Sequence, residues 1–432
     1  MRKVLVVGCG GSGAKTLAYM MDQLHADLAA YGIEKIPGCW QFLSVDTPLQ
    51  EEKPGGLGSV TQQGGAYVAC GVSAGSYSVV DDSLTHQVQS KGPAGLRQLA
   101  TWMPGTVQDV PFPVTVGAGQ CRGIGRLLIL DRLSAVSQAV QDALARMAST
   151  QSVSEAAEVA RRVPGVGEPP ATTAPPMVLV VSSMAGGSGA SMTLDVCRVI
   201  AGTQTTPAID PQLISVFLYT AEVFNEVPKD KKDGMPGNTL AMLGEIIAAQ
   251  SSNGGKAARL DEELYSLMGG ATKACHAFKR VIPIGLKAGG TGAVFGDGTT
   301  SGVFRGMGRG LARYIASPAF ESYVQFDIAN KVDIPNHNAV SWGVDPTETA
   351  WGSFGYASLS TGRDRYAEYA SQRMARRSID HLLDGFRSAG DFSGDAQRLA
   401  ALWQARMPEE LAKMHLPQPT GQTVMAGGQA VD

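Results

Sequence analysis

The sequence predicts an α/β nucleotide-binding fold, Rossmann-like with a mostly parallel sheet, followed by a mostly helical C-terminal region. Three observations carry this expectation. Two glycine-rich loops, Gly8-Cys-Gly-Gly-Ser-Gly13 and Ala185-Gly-Gly-Ser-Gly189, each follow an apolar run and precede a segment of helical periodicity. A further apolar run at residues 213 to 219 reads as a buried strand. With 44% hydrophobic and 17% charged residues over 432 positions, the chain can bury one large core or two ordinary ones.

Taken in order, residues 4 to 7 form the first strand, and residues 14 to about 30 the first helix, with Leu17, Met20, Met21, Leu24 and Leu28 at helical spacing. Between them, Gly10, Gly11, Ser12 and Gly13 let backbone approach an anion, while the free N–H groups and dipole of the helix favour phosphate there. Lys15 stands one residue too far along for a P-loop lysine. Residues 177 to 181 form the second loop's strand, and residues 192 to 200 fit the helix that follows Ala185, Gly186, Gly187, Ser188 and Gly189. Two such cradles in one domain point to a nucleoside triphosphate. Residues 149 to 176, ending Glu168-Pro-Pro-Ala-Thr-Thr-Ala-Pro-Pro176, read as an exposed insertion, and residues 228 to 237 as a surface excursion.

The order of the motifs resembles the tubulin/FtsZ superfamily. Ala185-Gly-Gly-Ser-Gly-Ala-Ser191 resembles its glycine signature in degenerate form, Phe42-Leu-Ser-Val-Asp-Thr47 its second strand and loop, and Gly71-Val-Ser-Ala-Gly75 the loop around the γ-phosphate. Thr220-Ala-Glu-Val-Phe-Asn-Glu226 resembles the sugar loop, and residues 302 to 315 the central helix. Within the superfamily the large bacterial tubulin-like proteins are most similar, through Gly117-Ala-Gly-Gln-Cys-Arg-Gly-Ile-Gly-Arg126. The resemblance covers residues 1 to 315, the expected nucleotide-binding domain. It implies a GTP/GDP-binding cytoplasmic protein of cytoskeletal type, with GTPase activity and polymerisation.

Residue by residue, the resemblance puts Asp46 near the phosphates and their Mg²⁺, and Ser73, Ala74 and Gly75 at the γ-phosphate. Glu226 takes the ribose position and Phe304 packs on the base. FtsZ carries an aspartate five residues after that aromatic; here Arg309 stands there, so guanine preference is inherited from the family alone. The superfamily's water-activating carboxylate comes from the next subunit in a head-to-tail contact, and Asp327 is preferred for it over Glu321 and Asp333.

Residues 316 to 414 show one strand, 355 to 359, and helices at 364 to 386 and 395 to 407, a region open to other cytoplasmic partners. Residues 415 to 432 read as a disordered tail. Arg122 and Arg126 fall on one face of a helix, to clamp phosphate or a partner carboxylate, or to lie on the surface opposite Leu127, Leu128 and Leu130. A net charge of −3 without basic runs argues against nucleic acid, and no stretch approaches a membrane span. Six scattered cysteines without C-x-x-C indicate neither zinc nor a disulfide framework.

Three other functions compete. A dinucleotide-dependent dehydrogenase would leave the second loop unexplained and place Asp46 too far from the first. A hydrolase would use Ser73 in a short G-x-S-x-G match, with His337 as base. A scaffold that binds nucleotide without turnover fits the degenerate signature.

Overall fold

The computed structural model describes residues 1–71, 76–89, 102–106, 109–110, 112–115, 117–205, 208–229, 232–250, 261, 264–265, 277–318, 320, 322, 351–357, 363–384, 394–416, 424–426 and 429–431. It divides into two compact units, Met1–Ala357 and Ser358–Asp432.

The first unit begins with β1 (Val4–Cys9), α1 (Gly10–Ala29), β2 (Trp40–Asp46), β3 (Ala66–Ala69) and α2 (Tyr77–Gln89). Three helices follow: α3 (Arg122–Asp131), α4 (Leu133–Ala148) and α5 (Thr150–Arg162). Then come β4 (Met177–Ser183), α6 (Gly187–Gly202), β5 (Ile214–Tyr219), α7 (Gly234–Gln250) and β6 (Arg280–Ile284). A short hairpin, β7 (Lys287–Ala288) with β8 (Ala293–Val294), precedes α8 (Thr300–Ile315). The second unit contains α9 (Arg363–Asp384), α10 (Asp395–Lys413) and an antiparallel pair, β9 (Val424–Ala426) with β10 (Gln429–Val431).

Six strands form one parallel sheet in the order β3-β2-β1-β4-β5-β6. β1, β4 and β5 are buried along their whole length, which is why they read as unbroken apolar runs instead of alternating ones. Alternation reappears in what each residue touches. Leu5, Val7, Val178, Val180, Val216 and Leu218 pack on the face covered by α3, α4, α6 and α7. Val4, Val6, Leu179, Val181, Phe217 and Tyr219 pack on the opposite face, under α1, α5 and α8. There α8 lies close against α1: a Cβ on Gly308 would fall 2.7 Å from the Thr16 carbonyl and 2.8 Å from the Tyr19 Cβ.

The chain order makes β1 and β4 neighbours although β2, β3 and the helices α1 to α5 lie between them in sequence. Strands 1 to 3 are laid down in one direction from β1 and strands 4 to 6 in the other, so the connections diverge at the β1–β4 boundary. Such a switch point leaves a crevice beyond the carboxyl ends of the two strands, where parallel α/β sheets bind ligands. Both glycine loops open there.

Three local expectations differ from the structure. Residues 150–162 form α5, because Ser149 caps it by accepting from Ser152 N–H at 3.1 Å and Ser152, Ala156 and Val159 are buried at helical spacing. Residues 352–357 form no strand, although Trp351 makes an isolated parallel bridge to Val281. Val424–Ala426 and Gln429–Val431 supply the β9–β10 pair within the stretch read as a tail.

Candidate functional site

The first loop turns directly from β1 into α1. Gly10 has φ +73°, a conformation that favours glycine, and a Cβ there would lie 2.8 Å from the backbone nitrogen of Gly189. The two loops, 179 residues apart by number, therefore meet backbone to backbone. Ser182, in β4, strengthens the seam by donating to the Cys9 carbonyl at 3.1 Å, and Thr193 fixes Ser182 from α6 at 2.8 Å. Parallel pairing of Gly8 with Val181 sets this register.

The α1 N-terminus carries no acidic residue in its first turn and no side-chain cap. Gly186 is the N-cap of α6, and a Cβ added to it would meet nothing within 4 Å. Gly187 faces the other way: its N–H donates to the Gly119 carbonyl at 3.1 Å, so it is spent on the protein.

Asp46 ends β2 beside this seam and is 2% exposed. Its Oδ1 accepts from the Thr47 N–H at 2.7 Å, and the Ser188 hydroxyl lies close enough to favour its charged form. Burial pushes the Asp46 carboxyl up to about 7, and the nearby Glu52 adds to the rise; Thr47 N–H, Ser188 and Lys15 oppose it. Thr47 shares a hydrogen bond with Ser188 at 2.6 Å and accepts from Ala118 N–H at 3.1 Å. Thr47 thus joins the β2 loop, the second glycine loop and the Gly117–Arg126 motif, a role its sequence gave no signal for beyond lying next to Asp46.

The Gly117–Arg126 motif forms the outer wall of the second loop. Gln120 accepts from Gly234 N–H through its side chain at 3.1 Å, and its carbonyl accepts from the Asn238 side chain at 3.0 Å. Asn238 donates equally to the Ala185 carbonyl at 3.0 Å. Arg122 donates to the Ala190 carbonyl in α6 at 3.1 and 3.2 Å and pairs with Glu245. Arg126 pairs with the buried Asp195 at 3.3 Å and with Asp261 at 2.7 Å, while Arg198 reaches the same two carboxylates. Both arginines of the motif are therefore anchored on carboxylates and a carbonyl of their own chain, a third arrangement beside the phosphate clamp and the bare surface.

Glu226 accepts from Thr300 N–H at 2.9 Å, beside the Thr299 side chain that caps α8 by accepting from Gly302 N–H at 2.9 Å. Phe304 is 5% exposed and packs edge-on to Tyr219, with ring centroids 4.9 Å apart. Tyr219 in turn bonds to Thr16 of α1 at 2.7 Å, which ties the aromatic position to the helix of the first loop. Arg309 is exposed. Ser73, Ala74, Gly75, Asp327, Glu321, Asp333 and His337 lie outside the described residues.

Cys9, Cys39, Cys70 and Cys197 are buried free thiols. Among the described residues no group of three or more His, Cys, Asp or Glu side chains is arranged to hold a metal, and no helix is long and apolar enough to cross a membrane.

Solved structures similar to this chain include CetZ2 from Haloferax volcanii in a GTPγS-bound protofilament, at 11% identity and a TM-score of 0.34, covering 78% of this chain and 61% of that one. They also include a point mutant of FtsZ from M. jannaschii, at 12% identity and a TM-score of 0.28, covering 66% and 46%. GDP-bound monomeric CetZ1 from Haloferax volcanii matches at 12% identity and a TM-score of 0.28, covering 62% and 58%. The alignments thus span from under half to about three fifths of those chains. No curated protein matches this sequence. The profile described as "Tubulin like" matches residues 5–380, most of the sequence, and the chain belongs to this tubulin-like family.

Proposed function

We propose that this chain binds GTP and GDP at the β1–β4 switch point, hydrolyses GTP, and associates head to tail into filaments. The observation that carries the reading is the backbone contact between Gly10 and Gly189, which joins two phosphate-type loops into one crevice. A triphosphate has more anionic oxygens than one helix N-terminus can satisfy, and two adjoining N-termini answer that demand. The site fits the ligand in two further respects. Gly186 leaves open space where any side chain would stand, and Asp46, Thr47 and Ser188 offer the oxygen donors that Mg²⁺ takes.

In this reading N–H groups of Gly10 to Gly13, of Ser73 to Gly75 and of Gly186, Ser188 and Gly189 hold the phosphates. Mg²⁺ screens the phosphate charge when bound. Glu226 and Phe304 serve the sugar and base ends by their place in the family pattern. Asp327 of a neighbouring copy polarises the attacking water, which makes an isolated subunit a poor enzyme.

The test is equilibrium titration of GTP against the wild type and Gly186→Val. The substituted side chain enters open space, so the melting temperature stays unchanged while GTP binding falls by more than about tenfold. Unchanged affinity in the folded variant would rule out phosphate at this loop.

A further inference from the structure

The pair formed by Lys15 and Glu52 lies at the edge of the crevice and has no part in the seam. Lys15 Nζ is 2.7 Å from the Glu52 carboxylate, and both side chains are more than a third exposed. Gly11 and Lys15, four residues apart, share one face of α1. On that face the Glu52 carboxylate occupies the space in front of Gly11: a Cβ there would fall 2.9 Å from Glu52 Cδ. The neighbouring Glu51 is engaged elsewhere, accepting from Thr61 Oγ1 at 2.6 Å and so fixing the loop that presents Glu52.

A carboxylate held against the first turn of an uncapped helix, beside a lysine, marks a position where the protein itself favours negative charge. We propose that Lys15 reads the terminal phosphate of a bound nucleoside triphosphate, and that Glu52 occupies Lys15 until the nucleotide takes its place. The inference rests on the nucleotide reading above and adds to it a residue that separates triphosphate from diphosphate. A half-exposed ion pair is weak and readily exchanged. The incoming phosphate repels Glu52 toward solvent and keeps Lys15 paired, so the exchange costs little. A diphosphate lacks the group that competes for Lys15 and leaves the pair in place.

The experiment is calorimetric titration of GTP and of GDP, with Mg²⁺, into wild type, Glu52→Gln, Lys15→Met and the double variant, with melting temperatures as a check on folding. Glu52→Gln frees Lys15 and binds GTP about two- to fivefold tighter, with GDP affinity nearly unchanged. Lys15→Met weakens GTP about fivefold or more and narrows the GTP/GDP ratio. In the Lys15→Met background, Glu52→Gln tightens GTP by clearly less than it does in wild type, the difference being the part that runs through Lys15. A merely structural pair would not produce a variant that binds better. Wild type that binds GTP while Glu52→Gln binds no tighter, or a Lys15→Met loss equal for GTP and GDP, overturns the assignment alone. If neither the wild type nor any variant binds GTP or GDP, the guanine-nucleotide reading falls and this inference falls with it.

Discussion

Asp46 closes β2 with a carboxylate that burial holds near the midpoint of its titration at neutral pH. In the unfolded chain it titrates at the ordinary aspartate value near 4, and in the folded protein at about 7. Between these values the native state binds the extra proton, so the contribution of Asp46 to stability is fully present below pH 4 and is lost as pH rises through 7. Asp46→Asn keeps the shape and an acceptor for Thr47 N–H without the buried charge. It should melt higher than wild type at pH 8, by a margin worth on the order of 1 to 4 kcal/mol, and the margin should vanish near pH 4. The same variant should lose Mg²⁺ dependence of GTP binding more than binding without metal; equal loss in both titrations would make Asp46 a structural cap. An acid directly after an apolar run is visible in sequence as the end of a strand facing a site. Its neighbour Ser188 is not, since only the β2–β1–β4 pairing brings the end of β2 to the second glycine loop.

At the scale of elements, both glycine loops were legible because strand, glycines and helix follow one another without interruption. What the loops rest on was not. The Gly117–Arg126 motif reads equally as a phosphate clamp or a surface helix, because the ends of arginine side chains depend on carboxylates far along the chain. In the structure these are Asp195, Glu245 and Asp261, and α3 becomes a brace on α6. Asp195→Ala would remove the buried carboxylate that Arg126 and Arg198 share, and should cost about 3 to 5 kcal/mol in denaturant unfolding. A cost under about 1 kcal/mol would show that the network is not a brace. Gly187→Val should likewise destabilise, since its Cβ would collide with the Gly119 carbonyl. It contrasts with Gly186→Val, whose effect is confined to ligand. Adjacent glycines in one motif thus divide between packing and binding, a division set by which neighbour each faces.

For the whole molecule, the parallel sheet was predictable from unbroken apolar strands, and its strand order places the crevice where the loops open. The second unit was less legible: α9 and α10 carry helical spacing, whereas the short β9–β10 pair lies in a stretch without periodicity. If the water-polarising carboxylate is donated across a head-to-tail contact, phosphate release per subunit should fall on dilution, with light scattering falling alongside. Asp327→Ala should bind GTP normally and hydrolyse it about 10² to 10³ times more slowly. A specific rate independent of concentration contradicts the shared site, and no release at any concentration favours a nucleotide-binding scaffold.

In the proposed function, one crevice between two glycine loops holds a guanine nucleotide. Mass analysis of the nucleotide released by denaturing the purified protein tests it most directly. GDP or GTP near one per chain in the wild type, and its absence from Gly186→Val, is the predicted result; a nicotinamide dinucleotide, an adenine nucleotide, or equal guanine nucleotide in the variant would contradict it.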